Sequence, residues 1–298
     1  MALQETLQNS LVSICVITYN SSNYIFETLN SILSQDYENI ELIISDDHST
    51  DKTCEICNEW IKSNYHHFKN CYLTQLPENK GICANYNHVW PLAKGEWIKF
   101  IAGDDRLKPD CISSFVKEIE DNIDIMCCLR ENFRNDSPKR WISGEEHLRY
   151  KDQLRQVLKH HYFGIVCGAT LFVKKKLLED LNGFDERFMF AEDYPLCMKY
   201  LMQGKRIKQI EKPLVEYRNY ASVSNSGNPR FVKSHNEAMF EYLPKAALYC
   251  KMPHYWYHFK VWILENKYSN ANLAKRLFVY LLKVFDIVNI ANKLYFKK

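Results

Sequence analysis

The chain has 298 residues, of which 46% are hydrophobic and 25% charged, values of a folded protein with one large domain or two modest ones. A chain this long buries enough surface to need no disulfide or metal staple, and nine glycines and nine prolines are too few for a collagen, a linker or a low-complexity protein. With 39 basic and 36 acidic residues the net charge is +3, too balanced to demand a nucleic-acid partner, and none is expected.

The eleven cysteines are odd in number and irregularly spaced. Residues 1–10 lack a basic n-region, the apolar run 11–17 leads straight into Thr18-Tyr19-Asn20, and no small-residue cleavage site follows, so no signal peptide is expected. The thiols are therefore read as reduced, in a cytosolic protein. No apolar run approaches the roughly 18 residues that a membrane-spanning helix needs.

In chain order, the apolar run 12–17 predicts a strand, followed by a helix with Ile25, Leu29, Ile32 and Leu33 on one face. A second strand at 40–44 precedes a helix striped by Cys54, Cys57 and Ile61. A third strand at 71–74 and a helix at 81–92 lead to a fourth strand at 97–101, then a helix with Ile112, Phe115, Val116 and Ile119. Nearly continuous apolar strands alternating with helices imply an α/β fold, a mostly parallel sheet covered on both faces. Cys127-Cys128 reads as the end of a buried strand. Residues 130–162 read as a polar insertion with one amphipathic helix (Leu154, Val157, Leu158), and regular apolar runs return at 166–173 and 207–217. We place a boundary near residue 220. The nucleotide half is about 10–128 and the acceptor half about 129–220. Residues 221–298 form a helical extension. Residues 251–298 carry nine Lys or Arg against Glu265 and Asp286, a balance of +7, while the preceding 250 residues balance at −4; eleven of the 41 aromatics also fall there.

No G-x-G pair and no G-x-x-x-x-G-K-[ST] occurs, so a phosphate cradle built from glycine amides is not expected. Three polar clusters instead follow three predicted strands: Thr18-Tyr19-Asn20, Asp46-Asp47-His48-Ser49-Thr50-Asp51 and Gly103-Asp104-Asp105. These are strand carboxyl ends, where open α/β sheets form ligand crevices. Each cluster alone has a simpler reading, as a helix cap or a turn. Four acids together (Asp46, Asp47, Asp104, Asp105) repel one another unless a cation is present, and oxygen-only ligands suit Mg²⁺ or Mn²⁺. Glu192-Asp193-Tyr194-Pro195 opens a helical pattern in which Asp193 reads as a cap and Pro195 sits in the first turn. Cys54 and Cys57 lie on an apolar stripe with no second pair, so core packing is expected. His254 and His258 share a helix face with no acid beside them. No serine- or cysteine-based nucleophile is apparent.

Taken together, these motifs resemble a family 2 glycosyltransferase of the GT-A fold, of the bacterial surface-polysaccharide type. The resemblance runs over residues 10–220. It is carried by Ser13–Asn20, Thr28–Gln35, Ile44–Asp51, Asn79-Lys80-Gly81, Asn87, Lys94–Ile98, Gly103-Asp104-Asp105, Asn182-Gly183-Phe184-Asp185 and Glu192-Asp193. It departs where the family often has an arginine, here Ala84-Asn85-Tyr86, and where a histidine commonly follows Tyr217-Arg218, here Asn219-Tyr220. The resemblance implies that Thr18, Tyr19, Asn20 and Asp47 hold the base of a UDP-sugar, with Lys80 and Gly81 also at the nucleotide. Asp104 would touch ribose, Asp105 would bind Mn²⁺ or Mg²⁺, and Arg218 would steady the leaving diphosphate. Asp193, with Glu192 as the fallback, would be the general base for a single inverting displacement. The acceptor would be a glycan hydroxyl, lipid-linked, in O-antigen, lipopolysaccharide or capsule assembly. A nucleotidyltransferase and a catalytically inactive sugar-nucleotide-binding scaffold are the rival readings. Residues 275–298 mix Leu277, Phe278, Leu281, Leu282, Phe285, Val288 and Ile290 with six basic residues. This pattern suits the anionic cytoplasmic face of an inner membrane, with peripheral attachment, or a homodimer contact through the C-terminal helices.

Overall fold

The computed structural model describes residues 10–160, 165–219 and 228–251. β1 (Val12–Thr18) and β2 (Ile40–Asp46) are buried at every position, because Val and Ile side chains leave both faces and both faces are covered. Together with β3 (Asn70–Gln75) and β4 (Trp97–Ala102) they form a parallel array in the order β3-β2-β1-β4. Thr18 lies beside Asp46, and Ile17 beside Ala102, so β1, β2 and β4 end in line. That register brings the three polar clusters to one edge. Helix α1 (Ile25–Leu33) buries Ile25, Thr28, Leu29 and Ile32, and α2 (Thr53–Asn64) buries Thr53, Cys57 and Trp60. Next in the chain are α3 (Ile82–Val89), then β5 (Arg106–Leu107), a two-residue strand that the sequence pattern does not predict, and α4 (Cys111–Lys117).

Beyond α4 come β6 (Ile125–Arg134), β7 (Ser137–Ser143), α5 (Gln153–His160), β8 (Phe172–Lys174), α6 (Lys175–Leu181), α7 (Asp193–Met202), β9 (Lys208–Arg218) and α8 (Pro229–Tyr249). The sheet continues β4-β8-β6-β9-β5, with β7 paired to β6. β8 is antiparallel to both β4 and β6, while β6 and β9 are parallel. The polar insertion expected at 130–162 has its amphipathic helix, α5, with Leu154, Val157 and Leu158 buried, but its first part is corrected. It holds the second half of β6 and all of β7, a hairpin whose outer strand is largely exposed and shows no apolar alternation. The run 166–173 is corrected too: only its last two residues join β8, because residues 168–170 turn in a 3₁₀ helix.

The chain falls into two compact units, residues 1–240 and 241–298. Of the second unit, residues 241–251 are described; there Lys245 pairs with Glu241 at 2.5 Å. His254, His258 and the basic stretch 275–298 lie outside the described residues. Among the described residues no helix is long and apolar enough to cross a membrane. All eleven cysteines are free thiols. Burial raises Cys54 and Cys57 to about 12 each, which suits packing and not redox or metal chemistry.

Candidate active site

The loop after β1 is stitched to the loop after β2. Asn20 adopts a left-handed backbone (φ 51), and its N–H donates to Ser49 Oγ at 2.7 Å. Its Oδ1 accepts the Thr50 N–H at 2.9 Å. Asp51 accepts the Thr53 hydroxyl (2.5 Å), the Thr53 N–H (2.9 Å) and the Ser22 N–H (3.1 Å); burial raises its carboxyl, but hydrogen bonds from the hydroxyls and amides of Thr53 and Ser22 outweigh it and leave it below the ordinary value. Tyr19 remains exposed at 48%. Thr18 is buried and its Oγ1 has no hydrogen-bond partner among the described residues. It faces Gly103, where an added Cβ would come within 2.7 Å of Thr18 Oγ1. Only glycine lets the end of β4 approach the end of β1 this closely.

The expected cluster of four acids resolves into two different jobs. Asp46 accepts the Ser49 N–H (2.8 Å), the Ser49 hydroxyl (2.5 Å) and the Gln75 amide (2.8 Å), so its carboxylate is consumed in holding its own loop. Asp47 accepts the Lys80 N–H on one oxygen and the Gly81 N–H on the other, each at 2.8 Å. Burial raises its carboxyl despite those bonds. Asp47 thereby places the Asn79-Lys80-Gly81 loop at the crevice; Gly81 sits at φ 90, and the Lys80 ammonium, half exposed, lies 3.6 Å from Glu78. Asp104 and Asp105 stand apart from these two loops, at the end of β4.

Asp105 is 2% exposed. One of its oxygens accepts the Arg218 backbone N–H at 2.8 Å, and its own carbonyl accepts the Thr28 hydroxyl at 2.7 Å. Burial, with Asp104 adjacent, pushes the Asp105 carboxyl well above its ordinary value. No group of three or more metal-ligating side chains exists among the described residues. A preformed cage is therefore absent there. A buried carboxylate with one oxygen committed fits instead a divalent cation that arrives with the oxygens of a donor diphosphate, the usual habit of Mg²⁺.

Arg218, expected at the leaving diphosphate, has a guanidinium with several partners within the protein. Its side chain is 1% exposed. Nε donates to the Asp104 carbonyl (2.7 Å), one terminal nitrogen to Glu27 (2.7 Å) and the other to Asn135 Oδ1. The guanidinium also lies 4.6 Å from the ring centroids of Tyr24 and Phe133. Arg218 is a buried strut that fixes the Asp104-Asp105 turn from behind.

Asp193 opens α7, with Glu192 at its N-cap. Burial raises the Asp193 carboxyl to about 7, with Glu145 adding to the rise, while hydrogen bonds from the Tyr194 and Gly168 amides pull the other way. Burial and Asp193 together hold Glu192 well above its ordinary value. A base near 7 is matched to neutral-pH proton transfer. The segment leading there is clasped by Asn87. Its Oδ1 accepts the Phe184 N–H and its Nδ2 donates to the Phe184 carbonyl, both at 2.8 Å. The departure at Ala84-Asn85-Tyr86 has a structural use: Asn85 is buried and donates to the Ser45 carbonyl at 3.1 Å. Asn219 likewise caps the hairpin, its N–H donating to the Phe133 carbonyl at 2.7 Å. Lys94-Gly95 lies at the opposite edge, where Gly95 N–H donates to Ser13 Oγ at 2.8 Å. Reading by sequence alone missed Lys99, Gly168 and the Glu27–Arg218 pair. The one available signal was a lysine inside the apolar strand 97–101.

With this geometry in hand, comparison with known proteins decides the family. The model of glycosyl transferase family 2 matches residues 13–181. The chain belongs to glycosyl transferase family 2. An uncharacterized glycosyltransferase of Rickettsia typhi is 30% identical over 202 residues, which are 67% of this chain and 61% of that protein. The chain thus spans about three fifths of the length of that relative. WfaP of Escherichia coli, a UDP-Glc:alpha-D-GlcNAc-diphosphoundecaprenol beta-1,3-glucosyltransferase, is 28% identical over 228 residues, 76% of this chain and 84% of WfaP. The crystal structure of S. aureus TarS residues 1–349 with UDP-GlcNAc superposes with a TM-score of 0.64 at 21% identity, covering 89% of this chain and 77% of that one. The family 2 chain accordingly has the GT-A fold.

Proposed function

We propose that this family 2 chain is an inverting glycosyltransferase that moves a sugar from a UDP-sugar to a hydroxyl of a glycan acceptor. The observation that carries the reading is the convergence of two acidic pairs. Lys99 Nζ on β4, the strand that ends at Asp104-Asp105, donates to the Ala169 and Leu171 carbonyls (2.5 and 3.3 Å), and beside them Gly168 backs onto Glu192, where an added Cβ would lie 2.5 Å from Oε1. One pair follows β4 on the nucleotide side and the other opens α7 on the acceptor side. The orphan Thr18 hydroxyl supports a hydrogen bond to the nucleotide base, flanked by Tyr19 and Asn20. Each Asp47 oxygen keeps a second lone pair beside its amide bond, enough to accept an imide N–H. Lys80 and Gly81 border the same space, and Asp104 is assigned to ribose.

Asp105 would hold the divalent cation, Mn²⁺ or Mg²⁺, which would act as a Lewis acid toward the departing diphosphate. Asp193, ionised above pH 7, takes the proton of the attacking hydroxyl while that oxygen bonds to the anomeric carbon and UDP leaves from the opposite face. One displacement of this kind inverts the centre. WfaP, which acts on a diphosphoundecaprenol-linked sugar, supports a lipid-linked acceptor, a hexosyl or N-acetylhexosaminyl donor and a place in surface-polysaccharide assembly. A basic C-terminal stretch at a membrane surface is in keeping with such an acceptor. The test is UDP release from a panel of UDP-sugars, with and without a GlcNAc-diphospholipid acceptor. Acceptor-dependent release is expected with one donor, lost in excess EDTA, with a product of inverted configuration. No release with any donor sinks the reading; full turnover in EDTA sinks the cation alone.

A further inference from the structure

Lys99 sits in the middle of β4 and is fully buried. Its ammonium donates to three backbone carbonyls: Phe100 (2.7 Å), Ala169 (2.5 Å) and Leu171 (3.3 Å). Burying an ammonium in an apolar sheet is costly, a cost that methionine at the same length avoids. The ammonium stands where the sheet opens. β4 pairs with β8 only from Trp97 to Lys99. Past that point one long backbone bond remains, from the Phe100 N–H to Leu171 O (3.4 Å), and residues 167–170 turn away, with bonds from the Thr170 N–H to Cys167 O (2.8 Å) and from the Leu171 N–H to Gly168 O (3.1 Å). Lys99 fills the gap with donors.

What the two sides of that gap carry makes the placement matter. β4 runs on into Asp104 and Asp105. The turn carries Gly168, which backs directly onto Glu192: an added Cβ there would come within 2.5 Å of Glu192 Oε1 and 3.4 Å of the Tyr86 hydroxyl. Its amide also serves the Asp193 carboxylate. We propose that Lys99 is a positioning residue: its ammonium ties the strand bearing Asp104 and Asp105 to the 167–171 turn, and so holds the Gly168 amide against the Glu192-Asp193 pair. This rests on the transferase reading above. It deepens that reading by assigning to one buried cation the spacing between the leaving-group side and the base.

The consequence is separable from simple folding. Losing the tie lets the turn drift, and a displacement near 1 Å at a reacting centre is enough to cost about 10²-fold in rate. Losing the Gly168 N–H also removes a donor that favours ionised Asp193, so the acid limb of kcat moves to higher pH. The other groups facing Asp193 remain in place: Glu192, Glu145 with Arg130 at 2.8 Å, the thiols of Cys83, Cys167 and Cys197, and the Tyr86 phenol.

The experiment compares the full chain with Lys99→Met, scoring UDP affinity in Mn²⁺ by calorimetry and kcat per UDP-competent molecule across pH. The expected result is UDP affinity within about threefold and kcat lower by about 10–10²-fold, with the acid limb displaced upward. Unchanged kcat and limb overturn the proposal. Should Lys99→Met yield no UDP-competent protein, Lys99→Gln, which keeps N–H donors on a shorter arm, takes its place. Failure of both to bind UDP makes Lys99 a folding residue and overturns the proposal as well. Absence of UDP release by the unsubstituted chain overturns the transferase reading and this role together, whereas normal release with an indifferent variant overturns the role alone.

Discussion

The two halves of the sheet are built by different means. In the β3-β2-β1-β4 half, β1 and β2 are buried along their whole length, and side chains such as Ile14, Val16, Leu42 and Ile44 join one apolar core with α1 and α2. In the β6-β9-β5 half, five of the seven residues of β7 are exposed. There charges replace apolar alternation: Glu216 meets Arg106 (2.8 Å), Lys108 (3.6 Å) and Arg140 (2.5 Å), and Glu131 meets Lys108 and Arg140. The first half is an apolar floor whose strand ends carry the groups proposed for the nucleotide, held through side chain to backbone bonds. The second half leads to the proposed base through the 167–171 turn and the start of α7, not through a strand end. The base should therefore be the more easily detuned of the two.

The largest expected effect tests that contrast at Asp193. Asp193→Asn keeps size and cannot take a proton, so transfer should fall by about 10²–10⁴-fold while UDP binding survives. In the unsubstituted enzyme kcat should rise with pH through about 7, the value to which burial lifts Asp193. Stability runs the opposite way. A carboxyl raised when folded keeps a proton that the unfolded chain has already released, so its contribution is present below the ordinary value of 3.8 and is lost as pH rises to about 7. Glu192 and Asp105, also raised, act with the same sign. Urea unfolding between pH 4 and 8 should show this decline weakened in Asp193→Asn. Near-normal turnover in that variant would move the role to Glu192.

The same contrast explains what the sequence made legible. The parallel half could be read because an apolar strand covered on both faces has no other use for Val12–Ile17 or Ile40–Ile44, and because three such strands ending in line must bring their polar clusters together. The hairpin of β6 and β7 could not be read. Arg130, Glu131 and Arg140 look like a solvated insertion until their partners are known: Glu145 for Arg130, Lys108 just after β5 for Glu131, and Glu216 on β9 for Arg140. Among site residues, Asp46 and Asp105 were indistinguishable as letters. Only the structure shows that Ser49 and Gln75 consume one carboxylate while the other keeps an oxygen uncommitted to the Arg218 amide. The surroundings of Arg218 were hidden for a similar reason: a guanidinium after a strand end suits a diphosphate, and nothing in the sequence brings Glu27, Asn135 and two aromatic rings around it.

A smaller effect is expected on the rigid side. Asp47→Asn turns one carboxylate oxygen into an NH₂ that must face either the Lys80 or the Gly81 amide, donor against donor. Leaving one buried amide unsatisfied costs about 1–3 kcal/mol, which denaturant titration would register. UDP affinity should weaken with it, since the Asn79-Lys80-Gly81 loop would be released from the crevice, while the pH limb set by Asp193 stays where it was. A shifted limb in Asp47→Asn would mean that the two halves are coupled more tightly than their construction implies.

The smallest effect is expected in the ion network, at Arg140. Its side chain is 44% exposed and bonds Glu216 at 2.5 Å and Glu131 at 3.3 Å, with Phe133 beneath it at 5.4 Å. Exposed pairs of this kind are worth at most about 1 kcal/mol. Arg140→Ala also leaves neither acid isolated, because Glu216 keeps Arg106 and Lys108, and Glu131 keeps Lys108 at 2.5 Å. Stability should fall by less than about 1 kcal/mol, and by less again in high salt, where exposed charges are screened. Turnover should be unaffected, since Arg140 touches none of the groups assigned to the reaction. A loss of several kcal/mol, or a fall in kcat, would show that the network acts as one cooperative unit that sets the position of β9 and hence of Arg218. The second half of the sheet would then be as rigid as the first, held by charge where the other is held by apolar packing.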